Sequence, residues 1–416
     1  MFFFTGEASD HTFYICSYMH YDSSLPTSPI EKKSRLAFID VARSIAILMM
    51  LEGHCTGEAL GLEFRQLENP IYNAWYRLHG LTSPLFFTLS GLIFTYLLLQ
   101  HRNEAFFSNP RVKKGMKRVL ELFIWGYLLQ LDLRSVYHLI FDNWAYNTEW
   151  LQAFHVLQSI ALGLFFLMLI YGLHCAFRKW PLAVLYLLGA LVLFGIQAGF
   201  NVQANADAKA LLEGTLETRN YWPPNGPLWL QNMFYGQYSQ MSFLRYGGFV
   251  LLGGMLGSIF RTFEEKVFSY RFIFAFIGGG LLIRTIIDDL IVWLDSFLLF
   301  TGLADVRYQQ TNISAFRDFG WVVMLVGCLI LINRFVSFRS GLFIKMGQNT
   351  LPIYILHVII LFGGLFGYGL KPHLLHQQLS PWTTVLVSAS FIAFFFVFIY
   401  FYIPLERFWK SLFHRK

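Results

Sequence analysis

Charged side chains are scarce in this chain. Asp, Glu, Lys and Arg make up 14% of its 416 residues against 56% hydrophobic residues, which is far more apolar surface than one soluble core can hide. That shortage excludes a soluble globular protein and leaves a bilayer as the natural solvent. Segments of about ten residues with alternating polarity are missing as well, which argues against a closed membrane barrel; the runs at 37–51, 153–173 and 385–403 do not alternate. The four cysteines, Cys16, Cys55, Cys175 and Cys328, show no metal-ligand spacing, and three fall in or beside apolar runs. They read as small core residues rather than disulfide partners or a zinc site, and no metal is expected. The first 30 residues lack the basic start, apolar centre and small-residue cleavage site of a signal peptide. Residues 1–34 are therefore expected to form a disordered tail. No internal repeat is visible, which weakens an inverted-repeat transporter reading.

What is present is a succession of apolar stretches long enough to cross the ~30 Å hydrocarbon layer as helices. Ten spans are expected, near 37–59, 82–100, 116–132, 152–175, 182–199, 243–260, 271–294, 318–336, 350–367 and 383–404. The fold class is all-α: a polytopic transmembrane helical bundle over residues 35–406, followed by a basic cytoplasmic tail at 407–416. Lys and Arg are retained on the cytoplasmic side. With the N-terminus inside, inner segments hold 21 of the 32 such residues, outer segments eight, and Arg43, Arg245 and Arg284 lie within spans. Both ends are thus expected in the cytoplasm, in a multi-pass protein of the cell membrane. The net charge of +7 belongs to these loops, and no nucleic-acid partner is expected. The long outer stretch at 200–242 carries Trp222, Trp229, Tyr235 and Tyr238 and opens on the turn run Trp222-Pro223-Pro224-Asn225-Gly226-Pro227. Its aromatics suit either a membrane interface or stacking on a sugar ring, and an eleventh segment there stays open.

The sharpest signal sits in the first span, from Asp40 and Arg43 to His54. Eleven residues at ~100° each return to within ~20° of the same helix face, ~16 Å further along. Asp40 lies one turn before Arg43, so an i, i+3 ion pair is available. Charge at membrane depth normally faces a protein interior or a water-filled path. A neutral imidazole can take a proton from a hydroxyl or amine near physiological pH; the alternative is a histidine that only packs between helices. Glu52 is nearly opposite Arg43 and so is expected to contact another span. Cys55 is ~100° away from His54 around the helix, which argues against a Cys-His pair.

The string Arg35-Leu36-Ala37-Phe38-Ile39-Asp40-Val41-Ala42-Arg43, followed by Gly53-His54, resembles the opening helix of the transmembrane acyltransferases. These include the acyltransferase-3 proteins, whose signature is an arginine, ten residues and a histidine, and the heparan-alpha-glucosaminide N-acetyltransferase-like proteins. Pro84-Leu85-Phe86-Phe87-Thr88-Leu89-Ser90-Gly91 is similar to their second helix. The Val156-Leu157-Gln158 element, the glycine-rich residues 246–257 and the segment Gly347-Gln348-Asn349-Thr350-Leu351-Pro352-Ile353-Tyr354-Ile355-Leu356-His357 add to the resemblance. It implies transfer of an acyl group, usually acetyl from acetyl-CoA, to a glycan or lipid-linked sugar across the bilayer. On this resemblance His54 is the base or acyl relay, and Arg43, with Asp40, shapes the donor path. Ser90, Lys114, Lys117 and Arg118 are candidates for holding acyl-CoA, although the two arginines three apart of the third helix are not kept. Gly53 before the histidine and Ser44 after Arg43 also depart from the common pattern.

Other polar groups at membrane depth are candidates for the acceptor side. Arg284 and Asp288 can pair on one helix face, either as a structural ion pair or with Asp288 orienting His54 or binding a sugar. Arg245 is either an interfacial anchor or a contact for an anionic acceptor, and His357, one turn after Tyr354, either packs or lines the same cavity as His54. Two readings of other classes remain beside the enzyme: a secondary transporter or flippase using the same charges as a relay, and a non-enzymatic sensor or assembly subunit.

Overall fold

Local capping chemistry starts several of the helices. In a computed structural model that describes residues 37–142, 153–177, 179–212, 227, 229, 241–336, 341–371 and 375–413, the first helix, α1, covers Ala37–Ala59. Asn69 and Asn109 each precede a proline and accept hydrogen bonds from the amides just beyond it, so they open α2 (Pro70–Gly80) and, after α3 (Thr82–Leu98), α4 (Pro110–Gln130). The Asp132 carboxylate caps α5 (Leu133–Phe141) in the same way. Then come α6 (Val156–Phe177), α7 (Leu182–Leu212) and α8 (Phe243–Thr262). Next are α9 (Tyr270–Phe300) and α10 (Ile313–Phe335). The last are α11 (Leu342–Gln348), α12 (Thr350–His357) and α13 (Pro381–Phe413). Among the described residues there is no β-strand, only isolated bridges joining Leu60 to Leu379 and Asp132 to Leu365. The tail expected at 1–34, the turn at 222–226, and Tyr235 and Tyr238 lie outside the described residues.

All ten segments expected to cross the membrane contain a helix. Six helices are long and apolar enough to cross a membrane by length and composition, or seven if the bent pair α11 and α12 is counted as one. The other three, α1, α4 and α9, have the length but carry the intramembrane charges: Asp40, Arg43, Glu52 and Glu58 on α1, for instance. Exposed Leu281, Leu282, Leu290 and Trp293 on α9, and Trp382, Leu386, Val397 and Phe401 on α13, form the apolar exterior that a lipid-embedded bundle needs. The chain is a multi-pass helical membrane protein.

Two spans depart from expectation. The ninth is not one straight rod: α11 and α12 meet at Asn349 with a bend of 80°. Beyond His357 the helix loosens into a π turn at Val358–Phe362 and ends on Gly363 in the left-handed conformation. Leu365 and Gly367 also have positive φ, and the Leu365 carbonyl accepts from the Leu133 amide (2.9 Å), pinning this loop to the start of α5. The span expected at 350–367 begins just after the bend at Asn349 and so left α11 out. The fifth, α7, continues to Leu212, well past the expected end at 199, and its 31 residues would reach ~46 Å, more than a hydrocarbon core needs. The segment at 407–413 continues α13 rather than starting a separate tail.

α3 and α8 cross closely because glycine faces backbone on both. A Cβ on Gly91 would collide with the Val250 carbonyl, and one on Gly253 or Gly257 with the carbonyls of Thr88 or Leu92. This is small-residue packing of the kind that replaces the hydrophobic drive inside a bilayer.

Candidate active site

The N-terminal half of α1 is stapled to the bent pair. Ser44 Oγ donates to the Phe343 carbonyl (2.6 Å) and accepts from the Gly347 amide (3.0 Å). Gly347 can only be glycine at this approach, since a Cβ would overlap the Asp40 carbonyl and Ser44 Oγ. Gln348 Nε2 donates to Asp40 Oδ2 (3.0 Å), and Arg43 lies 3.9 Å from Asp40 Oδ1 and donates to Thr350 Oγ1 (3.2 Å). The expected i, i+3 pair therefore forms, and a second helix fixes both partners. Arg43, Ser90 and Arg118 then line one cavity of about 260 Å³ whose walls are otherwise apolar side chains such as Phe86, Ile93, Phe94 and Leu122.

His54 opens on a second cavity, of about 590 Å³, with His357, Gln130, Gln158 and Asp132. The imidazoles of His54 and His357 stack at 5.5 Å with 23° between planes, and the Phe362 ring meets His54 edge-on at 5.4 Å. No carboxylate orients His54, and neither of its ring nitrogens is hydrogen-bonded to another described residue; its orientation comes from this packing. Gln158, fully buried on α6, donates through Nε2 to Gln130 Oε1 (3.1 Å) and accepts from the His155 amide (3.3 Å), forming a polar wall. Leu157 and Tyr354 line both cavities. One face of α1 thus looks into two adjoining compartments, rather than one, with a guanidinium in the first and an imidazole in the second.

A third histidine, which the sequence reading passed over, approaches from α2. His79 stands edge-on to His54 at 6.3 Å, and its ring occupies the volume that any side chain on residue 53 would need. Gly53, a departure from the family pattern, is what admits it. His79 Nδ1 is buried with no hydrogen-bond partner, while Trp75 stacks flat on the ring (5.3 Å, 6°) and donates from Nε1 to Glu52 Oε1 (2.8 Å). Glu52 does contact another helix, as its position opposite Arg43 requires. One turn beyond His54, Glu58 accepts from Lys371 Nζ (3.0 Å) at the outer mouth.

Other expected residues stand apart from these cavities. Asp288 is ion-paired with Arg317 of α10, not with Arg284, whose guanidinium lies 4.9 Å over the Trp321 ring. A neighbouring helix offered Asp288 a bidentate partner, and the i, i+4 geometry lost to it. Asp288 does not orient His54. Arg245 ties α8 to α10 through Asp318 (3.6 Å) and Ser314 (3.2 Å). Lys114 and Lys117 are exposed on the far side of α4, which leaves Arg118 as the one of the three basic residues that reaches the inner cavity, and Arg118 also donates to Glu121 (2.8 Å). Trp229 is exposed and lines neither cavity. Among the described residues no cluster of three His, Cys, Asp or Glu side chains can hold a metal ion.

No curated protein matches the chain. An acyltransferase domain model, that of the acyltransferase-3 family, matches residues 36–404 and so takes in α1, both cavities and the first 24 of the 33 residues of α13. The chain belongs to the acyltransferase-3 family of membrane acyltransferases.

Proposed function

We propose that the protein takes an acyl group, acetyl in the first instance, from acyl-CoA on the cytoplasmic side and delivers it to a hydroxyl or amine of a glycan or lipid-linked sugar on the outer side. The observation that carries this reading is the pair of cavities along one face of α1, which meet at Leu157 and Tyr354. Arg43 and Arg118 give the inner cavity the positive charge that CoA phosphates require, and its apolar walls suit a pantetheine arm. In the outer cavity a nitrogen of His54 accepts the proton of the acceptor hydroxyl or amine while that oxygen or nitrogen attacks the thioester carbonyl. The C–S bond breaks, and the CoA thiolate leaves with the electron pair and is reprotonated from the imidazolium. In the relay variant His54 itself attacks the thioester and expels the CoA thiolate; the acceptor then attacks the acyl-imidazole, its proton passing to the thiolate as the C–N bond to the ring breaks. Gln130 and Gln158, as neutral hydrogen-bonding groups in the outer cavity, suit sugar hydroxyls.

The test uses membranes containing the full chain and labelled acetyl-CoA, with label sought in cell-envelope glycans. The wild type should transfer label, and His54→Ala should lose transfer by a factor of about 10² to 10⁴, the usual worth of a general base, while inserting normally. Full activity in His54→Ala would remove the base and relay roles together. Net solute movement without acetyl-CoA turnover would favour the transporter reading instead.

A further inference from the structure

A third cavity, of about 690 Å³, has no part in this scheme. It lies at the ends of α3, α6, α7 and α8 that the Lys and Arg distribution assigns to the cytoplasm, and it shares no lining residue with either cavity along α1. Arg102, Arg261 and His174 line it, together with the hydroxyls of Ser258 and Thr262, and no Asp or Glu does. Arg261 is bonded to Glu264 beside the cavity and lies 5.8 Å from the Tyr96 ring centroid, so it is held in place and partly neutralised. Arg102 is exposed and, among the described residues, has no hydrogen-bond or ion-pair partner. His174, half-buried, lines the cavity, and its Nδ1 is buried without a hydrogen-bond partner. Leu182 and Ala183, the first residues of α7, also face the cavity. The Pro181 carbonyl takes up the amides of Val184 (3.0 Å) and Leu185 (3.2 Å). Leu182 and Ala183 keep their own N–H groups, free at the positive end of a 31-residue helix. The rest of the lining is largely apolar, with Leu99, Tyr171, Ile259 and Phe263.

We propose that this cavity binds the phosphate headgroup of an anionic membrane lipid, with Arg102, His174 and the start of α7 on the phosphate and the apolar floor against the first carbons of the acyl chains. Helix-end amides and cations are the donors a phosphate oxygen calls for. A basic pocket between helices at the cytoplasmic face is where an anionic lipid already lies at high local concentration. A CoA phosphate has the same chemistry, but a nucleotide here would sit in a compartment with no wall in common with the route to His54.

The experiment is native mass spectrometry of the detergent-purified full chain supplied with phosphatidylglycerol or phosphatidylcholine. Phosphatidylglycerol should be retained preferentially, and Arg102→Gln should weaken its retention about fivefold, the worth of one interfacial cation. His174→Gln should weaken it too. CoA at millimolar concentration should leave the bound lipid in place. Arg102 is exposed, so its variant should elute and melt as the wild type does, which keeps a loss of lipid from being a loss of fold. Equal retention of the two lipids, or retention untouched by both substitutions, would overturn the proposal. Displacement by CoA, blunted in Arg102→Gln, would overturn it in favour of a donor-phosphate site. None of these outcomes depends on whether His54 catalyses transfer.

Discussion

At residue 53 the absence of a side chain decides how near α2 comes to His54. A methyl group there would enter the His79 ring, and Trp75, stacked flat on that ring and held by Glu52, hinders its retreat. Gly53→Ala is therefore expected to cost about 1–3 kcal/mol of stability, the range for overpacking a tight interior. It should also reduce acyl transfer at least about tenfold by displacing the rings around His54. The companion His79→Ala removes the obstacle. In the double variant Gly53→Ala/His79→Ala the melting temperature should recover most of what the single glycine change loses, a coupling that a thermal-melt double-mutant cycle reads directly. If Gly53→Ala melts with the wild type, the close approach of His79 is not what Gly53 serves. The Asp40, Arg43 and His54 constellation was legible in sequence because all three lie on one continuous helix, where spacing converts to geometry. His79 was not, since it comes from a helix read as an outer loop and its meaning depends on a contact between α1 and α2 that no local pattern encodes.

Individual elements show the same division between local and long-range information. Apolar runs marked every spanning helix, and the Ser90-Gly91 end of the α3 string and the glycine-rich string of α8, read at first only as family resemblance, prove to be the two sides of one crossing. Gly253→Leu should accordingly force the helices apart. A loss of several kcal/mol is not needed to see it: an overpacking cost of about 1–3 kcal/mol would lower the melting temperature by several degrees in a protein purified in detergent. The same substitution at Gly278, where a Cβ meets open space, should change melting little and serves as the internal control. Where elements could satisfy one group in two ways, the sequence was misleading. Asp288 had a partner four residues away in Arg284, yet Arg317 on α10 supplies two nitrogens to its two oxygens. The bend at Asn349 escaped notice for a related reason: it is stabilised by Ser44 and Asp40 of α1, three hundred residues earlier.

Across the whole molecule, the two compartments along α1 share two lining side chains, Leu157 from α6 and Tyr354 from α12. If an acyl group travels from the Arg43 side to His54 past these two side chains, they must leave room for a thioester arm. Enlarging Leu157 tests that route without touching a reacting group. Leu157→Trp should abolish transfer of label to the acceptor while leaving Arg43 and Arg118 unchanged in the cavity proposed for acyl-CoA; binding of labelled acetyl-CoA should therefore persist when turnover has gone. The pattern expected of a gate is an unchanged donor affinity with a kcat lowered by two orders of magnitude or more, whereas a merely misfolded protein loses both together. The smaller change Leu157→Ala widens the passage and should admit longer acyl chains than acetyl, shifting donor preference in competition assays. Transfer by Leu157→Trp at the wild-type rate would mean that donor and acceptor meet elsewhere than beside Leu157 and Tyr354, the two side chains that line both cavities.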